Sequence, residues 1–322
     1  MNALRENRQP LRALLILAAI AAGVIALFMT LNARGQWDFI LAFRGAKVLA
    51  MVLVAYAIAV STVLFQTVSH NRILTPSIMG FDQLFILIQT SLVFTIGSAG
   101  LTALDPRLLF AVNVGAMVVF STALYRWLFS GSSRSLHLLV LVGIVFGVLF
   151  RSLSSFMQRI IDPNEFVLLQ DRLFANFNTI DNNLLGISAA TILIASIFGW
   201  RLMHVYDVLA LGRETSINLG VDHNRSVTII LMLVAVLTSV ATALVGPVTF
   251  FGLLVANLAY GIAGTHKHRF VLPVAILLAV ICLIGGQLIL ERIFAFDTAL
   301  SIVIEFVGGI VFLALLIRGV AR

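Results

Sequence analysis

The stretch ALGRETSINLGVDHNR (residues 210–225) interrupts a chain that is otherwise strongly apolar. It carries Arg213, Glu214, Asn218, Asp222, His223, Asn224 and Arg225 within a few turns' length. The 322 residues around it are 61% hydrophobic and 11% charged, with a mean hydropathy of +1.08. A soluble domain carries roughly twice that charged fraction. The polar stretch therefore has to be a connection between membrane-crossing segments, and its place among them fixes the threading.

Working outward from it, apolar runs between polar breaks give ten candidate helices: 11–31, 46–66, 78–96, 107–128, 136–157, 185–203, 226–245, 247–262, 271–290 and 299–317. About 20 apolar residues cross the hydrocarbon core, and several of these runs reach that length without an internal charge. The fold class is all-α, a polytopic membrane protein of about ten transmembrane helices forming a single transmembrane domain over 1–322. The eighth run is short and opens on Gly246-Pro247, which predicts a kinked or tilted helix. The run 11–31 is too long for a cleavable signal and is expected to remain as a span.

Lys and Arg counts orient the bundle. With the N-terminus in the cytoplasm, thirteen cations fall inside, among them Arg8, Arg12, Arg72, Arg201, Arg213, Arg225, Lys267 and Arg269, and seven outside (Arg34, Arg44, Lys47, Arg107, Arg159, Arg172, Arg292). Acids lean outward, including Asp105, Asp162, Glu165, Asp171, Asp181, Glu291 and Asp297. Membrane sidedness thus explains the net charge of +7 without nucleic acid. Both termini come out cytoplasmic, and the polar stretch becomes the inner loop between the sixth and seventh spans.

Residues 210–221 read as short helix, turn, short helix, punctuated by Gly212 and Gly220. Leu209, Leu211, Ile217, Leu219 and Val221 are too many apolar side chains for an idle loop in water. An amphipathic hairpin facing the cytosol fits docking onto a soluble partner. LALGRETSINLGVDHNR (209–225) resembles the cytoplasmic loop of the FecCD-type permeases, the iron-chelate and cobalamin branch of bacterial ABC importers. Leu211, Gly212, Glu214, Leu219, Gly220, Val221 and Arg225 match it, with Arg213 inserted. The resemblance implies that the loop, about 205–224, holds the coupling helices that fit a groove on an ATPase subunit.

Three further blocks agree. VGPVTFFGLLVANLAY (245–260) is similar to the family's Gly-Pro-x-x-Phe-x-Gly-Leu-x-x-Pro-His block, with Ala256 and Asn257 in place of Pro and His. QTVSHNRILTPSIMG (66–80) and FRGAK (43–47) resemble the blocks around the second span. ILTPSIMGFD (73–82) and FDTALSIVIEFVGGI (296–310) look most like the branch that carries catecholate siderophores. The resemblance implies a BtuC-like type II importer permease in the bacterial cytoplasmic membrane. It implies a second permease subunit (a heterodimer, with a homodimer as the other arrangement), two ATPase subunits and an extracytoplasmic siderophore-binding protein. It also implies docking of that binding protein by Arg44, Lys47 and Arg292, and a short gating helix at 174–180.

No Gly-x-x-x-x-Gly-Lys-Ser/Thr occurs, so the chain lacks a P-loop. No cofactor is expected on it, ATP and Mg belonging to the partner ATPase, and no catalytic residue is expected. In the fifth span Arg151, Ser154, Ser155, Gln158 and Arg159 fall largely on one helical face, which should look at protein or water. With Glu305 in the tenth span they are candidates for the path of an anionic ferric chelate. Asp82 sits early in the third span, where the helix dipole favours an acid. Gly143 and Gly147 have the spacing for close helix packing. His266 and His268 flank Lys267 in a basic inner loop and make no metal site. Cys282 lies in an apolar helix as a small hydrophobe.

The leading reading is the permease subunit of an importer for a ferric siderophore of catecholate type. The other readings are a permease for haem, cobalamin or another siderophore class, and an ion-coupled secondary transporter. The last would favour buried acid pairs and broken helices near the midplane, whereas Glu305 stands nearly alone in the sequence.

Overall fold

The computed structural model describes residues 8–31, 37–129, 136–293 and 299–317. Arg5, Arg34, Arg134, Asp297, Arg318 and Arg322 lie outside the described residues. The elements are α1 (Arg8–Thr30), α2 (Trp37–Ser69), a 3-10 turn (Pro76–Met79), α3 (Phe81–Ala103), α4 (Pro106–Phe129), α5 (Leu136–Gln158) and α6 (Pro163–Leu173). Then follow α7 (Asn182–Arg201), α8 (Met203–Leu209), α9 (Arg213–Asn218), α10 (His223–Val245), α11 (Phe251–Ala263), α12 (His268–Arg292) and α13 (Leu300–Ile317).

Each of the ten expected spans is a helix. Among the described residues eight, α1 to α5 with α7, α10 and α12, are long and apolar enough to cross a membrane. The eighth expected span is the shortest: α11 has 13 residues, a rise of about 20 Å at 1.5 Å per residue, against a core about 30 Å thick. Its start is delayed to Phe251 because Gly246 and Pro247 break the backbone after α10.

The centre of the bundle is α2, α10 and α12. Each is mostly apolar and more than half buried along its span, the pattern of a helix largely enclosed by others. Ala50, Val54, Ala57, Val63, Leu231, Val234, Ala235, Val274, Ala275 and Leu283 are all fully buried along these three. The small residues let the backbones approach, as in membrane bundles generally. Outer helices keep apolar faces uncovered: Leu141, Val145, Val148 and Phe156 on α5, and Leu193, Ile194 and Phe198 on α7. In a water-soluble protein such faces would be unstable; against lipid or another apolar subunit they are not.

The Gly143/Gly147 pair packs inside the chain. A Cβ on Gly143 would stand 3.1 Å from Met79 Cα, and one on Gly147 3.3 Å from Gly80 Cα. The two glycines thus form the seat for the 3-10 turn that precedes α3. Side-chain caps fix four helix starts: Asp105 accepts from Arg107 N at 2.8 Å, Asp162 from Asn164 N at 2.9 Å, Asp181 from Asn183 N at 2.7 Å and Asp222 from Arg225 N at 3.1 Å. Each satisfies one of the amides orphaned at a helix N-terminus.

Two details of the sequence reading are corrected. The expected gating helix at 174–180 is not helical; the short helix lies earlier, at Pro163–Leu173. Residues 174–180 are instead held by tertiary contacts, with Asn176 N donating to Val245 O at 2.8 Å, which takes that backbone out of local helix formation. Within 210–221 only the second short helix occurs. The first is α8, ending at Leu209, so residues 210–212 are the turn.

Candidate functional site

The polar stretch forms a compact projection at one end of the bundle. Gly212 and Gly220 adopt φ of +99° and +83°, a region that L side chains with a Cβ rarely enter. They bracket α9, which is only six residues long, so the fold of this segment rests on its ends. Ser216 is buried between them; its hydroxyl donates to Arg213 O at 2.8 Å and lies 2.9 Å from His223 Nδ1. The apolar side chains divide in two. Val205, Tyr206 and Leu209 face the core, while Leu211, Ile217 and Leu219 are 60%, 51% and 58% exposed. Arg213, Glu214 and Arg225 stand exposed beside them and Val221 is half-buried. The outer surface is apolar with a charged rim, which suits a protein partner.

A joint that sequence reasoning missed ties this projection to the bundle. Asp207 Oδ1 on α8 accepts from His268 N at 2.8 Å and lies 2.7 Å from His268 Nδ1. His268 Nε2 is 2.7 Å from Thr67 Oγ1 on α2. His268 is therefore buried at the start of α12, and the expectation of an open basic loop holds only for its neighbours Lys267 and His266. Tyr206 donates its hydroxyl to Gly199 O at 2.7 Å. Burial raises that phenol's pKa, which keeps the proton on the donor. Two contacts from Asp207 to α12 and one from Tyr206 to α7 thus anchor α8, and His268 carries the connection on to Thr67 of α2.

At the opposite end Arg44 and Arg292 converge on the last turn of α1. Arg44 Nη1 donates to Phe28 O at 2.8 Å and Leu31 O at 2.7 Å, and Arg292 Nη2 to Leu31 O at 3.3 Å. Cations there complement the helix C-terminus. Arg292 is exposed and Arg44 half-buried. Lys47 differs from the expectation of a surface contact: it is buried, 2.9 Å from Asn178 Oδ1 and 3.6 Å from Glu291 Oε1. Gln287 Nε2 completes the cluster, donating to Asn178 Oδ1 at 3.1 Å and Glu291 Oε1 at 2.9 Å. The ammonium is held inside by partners up to 244 residues away, which no local pattern reveals.

The expected polar face of the fifth span divides. Ser154 is buried, donating to Phe150 O at 2.8 Å, and Gln158 turns inward to Thr90 Oγ1 at 3.1 Å. Arg151, Ser155 and Arg159 point outward and are exposed. Glu305 on α13 is half-buried and reaches Thr249. Thr249 also faces Asp82, so the acid read as a local helix-start residue lies close to Glu305 through a shared neighbour. Among the described residues no three His, Cys, Asp or Glu side chains form a metal-binding group.

A profile of the FecCD transport family matches residues 11–318. The chain belongs to the FecCD transport family. It is a transport permease subunit and not an enzyme. It is 46% identical over 303 residues to the petrobactin import system permease protein YclO of Bacillus subtilis, covering 94% of this chain and 96% of that one. It is 38% identical over 275 residues to the petrobactin import system permease protein FatC of Bacillus anthracis, covering 85% and 78% respectively. Its fold superposes on that of a metal-chelate type ABC transporter solved in an inward-facing conformation, with a TM-score of 0.83 at 20% identity over 96% of this chain and 99% of the other.

Proposed function

We propose that this permease moves a ferric siderophore of the catecholate type, petrobactin or a close chemical relative, across a bacterial cytoplasmic membrane. The observation that carries the cargo is the 46% identity along nearly the full length to a petrobactin permease. The energy comes from two ATPase subunits, which dock on the segment around 205–224 through Leu211, Ile217 and Leu219. Gly212, Arg213, Glu214, Gly220, Val221 and Arg225 hold its shape and charge. That end faces the cytoplasm, as do both termini, in keeping with the excess of Lys and Arg there.

A loaded binding protein docks on the other end. Arg292 and Arg44 offer guanidinium groups that pair with carboxylates directionally; Lys47 supports them from beneath. Two permease subunits, most simply two different ones, enclose the path between them. The uncovered apolar face of α5 is the surface available for that contact, and Arg151 and Ser155 beside it meet the anionic chelate as it passes. Ser154 and Gln158 shape that helix from within, and Glu305 borders the same route.

The test is uptake of iron-labelled siderophores by cells lacking the chain. Petrobactin uptake is expected to vanish while ferric citrate uptake continues. Unchanged petrobactin uptake, with another chelate lost instead, overturns the cargo assignment. In the same assay Arg151→Gln is expected to slow uptake while leaving the affinity of the binding protein for the permease unchanged.

A further inference from the structure

We infer that the permease holds a sodium ion in a small oxygen-lined cavity beside Asp82, where two breaks in the helical backbone meet. The cavity lies between α2, the 3-10 turn, the start of α3, α10 and the broken segment that precedes α11. Its volume is about 10 Å³, room for one water-sized guest and far too small for a chelate. Eight of its twelve lining residues carry a side-chain oxygen, Asp82, Thr62, Ser77, Thr238 and Thr249 among them. In a chain that is 61% hydrophobic, such a concentration inside the bundle is a built feature.

Asp82 is 2% exposed, and its Oδ2 has no hydrogen-bond partner. Ser77 and Thr249 line the cavity beside the carboxylate, and the charged neighbour is another acid, Glu305. The ion pairs among the described residues are Lys47–Glu291 and His268–Asp207, and neither includes Asp82. A carboxylate enclosed in a membrane bundle without a cation is costly. Thr238 Oγ1 on α10 is also buried without a partner, and it lines the same cavity.

The donor set selects the ion. All the side-chain donors are oxygen, with neither sulfur nor imidazole, which favours a hard cation over zinc, copper or iron. One carboxylate balances one positive charge. Magnesium would require near-octahedral geometry with several waters, and calcium six to eight oxygens usually including several carboxylates. The backbone is suited as well: α10 ends at Val245 and the chain stays non-helical to Phe250, and unwound carbonyls beside a half-helix end are the usual cation ligands in membrane transporters. Bound there, sodium would pin the 75–80 and 246–250 breaks together and, through Thr249, reach Glu305 on α13. The inference does not depend on which cargo is carried.

A ligand that binds only the folded state raises thermal stability in proportion to its occupancy. The test is thermal unfolding of the purified full chain in lipid nanodiscs, in NaCl, KCl and choline chloride at equal ionic strength. The expected result is a saturable rise in Tm with sodium that potassium and choline do not reproduce. Asp82→Asn is expected to abolish the rise, and Thr238→Val to increase the half-saturating sodium concentration by about tenfold. Equal Tm in the three salts, or a sodium effect that survives both substitutions, overturns the inference and leaves a protonated acid beside a water. If Asp82→Asn does not fold, Thr238→Val and direct binding of radioactive sodium to the unmodified chain decide, absence of saturable binding counting against the site.

Discussion

Lys47 and Arg292 stand near one another at the same end of the bundle, yet their surroundings give them different roles. Lys47 is enclosed with Glu291, Asn178 and Gln287, so Lys47→Met leaves a carboxylate without its cation. Removing one partner of a buried pair costs about 3–5 kcal/mol when burial is complete. With the Lys47 and Glu291 side chains 9% and 14% exposed, solvent screening reduces this to about 1–3 kcal/mol. A lower Tm of the purified permease is the expected readout. Arg292→Gln, on an exposed side chain, should leave Tm unchanged and weaken association with the binding protein, measured by surface-immobilised titration. Asp207→Ala belongs to the same scale: it removes the acceptor for His268 N and Nδ1, at about 1–3 kcal/mol for unpaired buried groups. ATPase activity in the assembled importer should then respond less to the loaded binding protein. The sequence placed Arg44 and Arg292 at span ends, but their shared acceptor at the end of α1 was not legible, because it lies on another helix and, for Arg292, far away along the chain. It could not reveal that Lys47 faces inward, since Asn178 and Glu291 are distant in the chain.

Helices and turns were legible to the extent that their cause is local. Eight of the ten expected spans follow from apolar length among the described residues, and the short α11 from Gly246-Pro247. The non-helical 174–180 segment was not legible, because Asn176 N is taken by Val245 O, a partner 69 residues on. Asp82 was read from its own helix start, and the groups opposite it, Thr249 and Thr238, come from other elements. At this scale the seat of the 3-10 turn is testable. Gly143→Leu would drive its side chain into Met79, whose Cα is 3.1 Å from the Cβ position. Overpacking of this kind costs about 1–3 kcal/mol, so reduced Tm and yield are expected; a variant as stable as the parent would mean that α5 and the turn can separate freely. The projection is testable without touching the core. Leu211→Asp and Leu219→Asp alter side chains that are 60% and 58% exposed. They should preserve Tm and lose co-purification with the ATPase subunits.

The molecule as a whole is a bundle with distinct ends and a central bar. The helices α2 and α12 run its length. At one end they carry Thr67 and His268, tied to α8 through Asp207; at the other they carry Lys47, Gln287 and Glu291, tied to Asn178. In the proposed cycle, a push on the projection would reach the pair of helices that also anchors the segment at the far end. The sequence contains no P-loop motif, and the proposed source of the push is the partner ATPase. The most direct measurement is ATP-driven accumulation of ferric siderophore in proteoliposomes holding the binding protein, both permease subunits and the ATPase, with Gly212, Glu214 and Gly220 replaced together by Val, Ala and Val. Normal assembly of the membrane pair with loss of both accumulation and stimulated ATP hydrolysis is the predicted result; accumulation equal to that of the unmodified importer would contradict it.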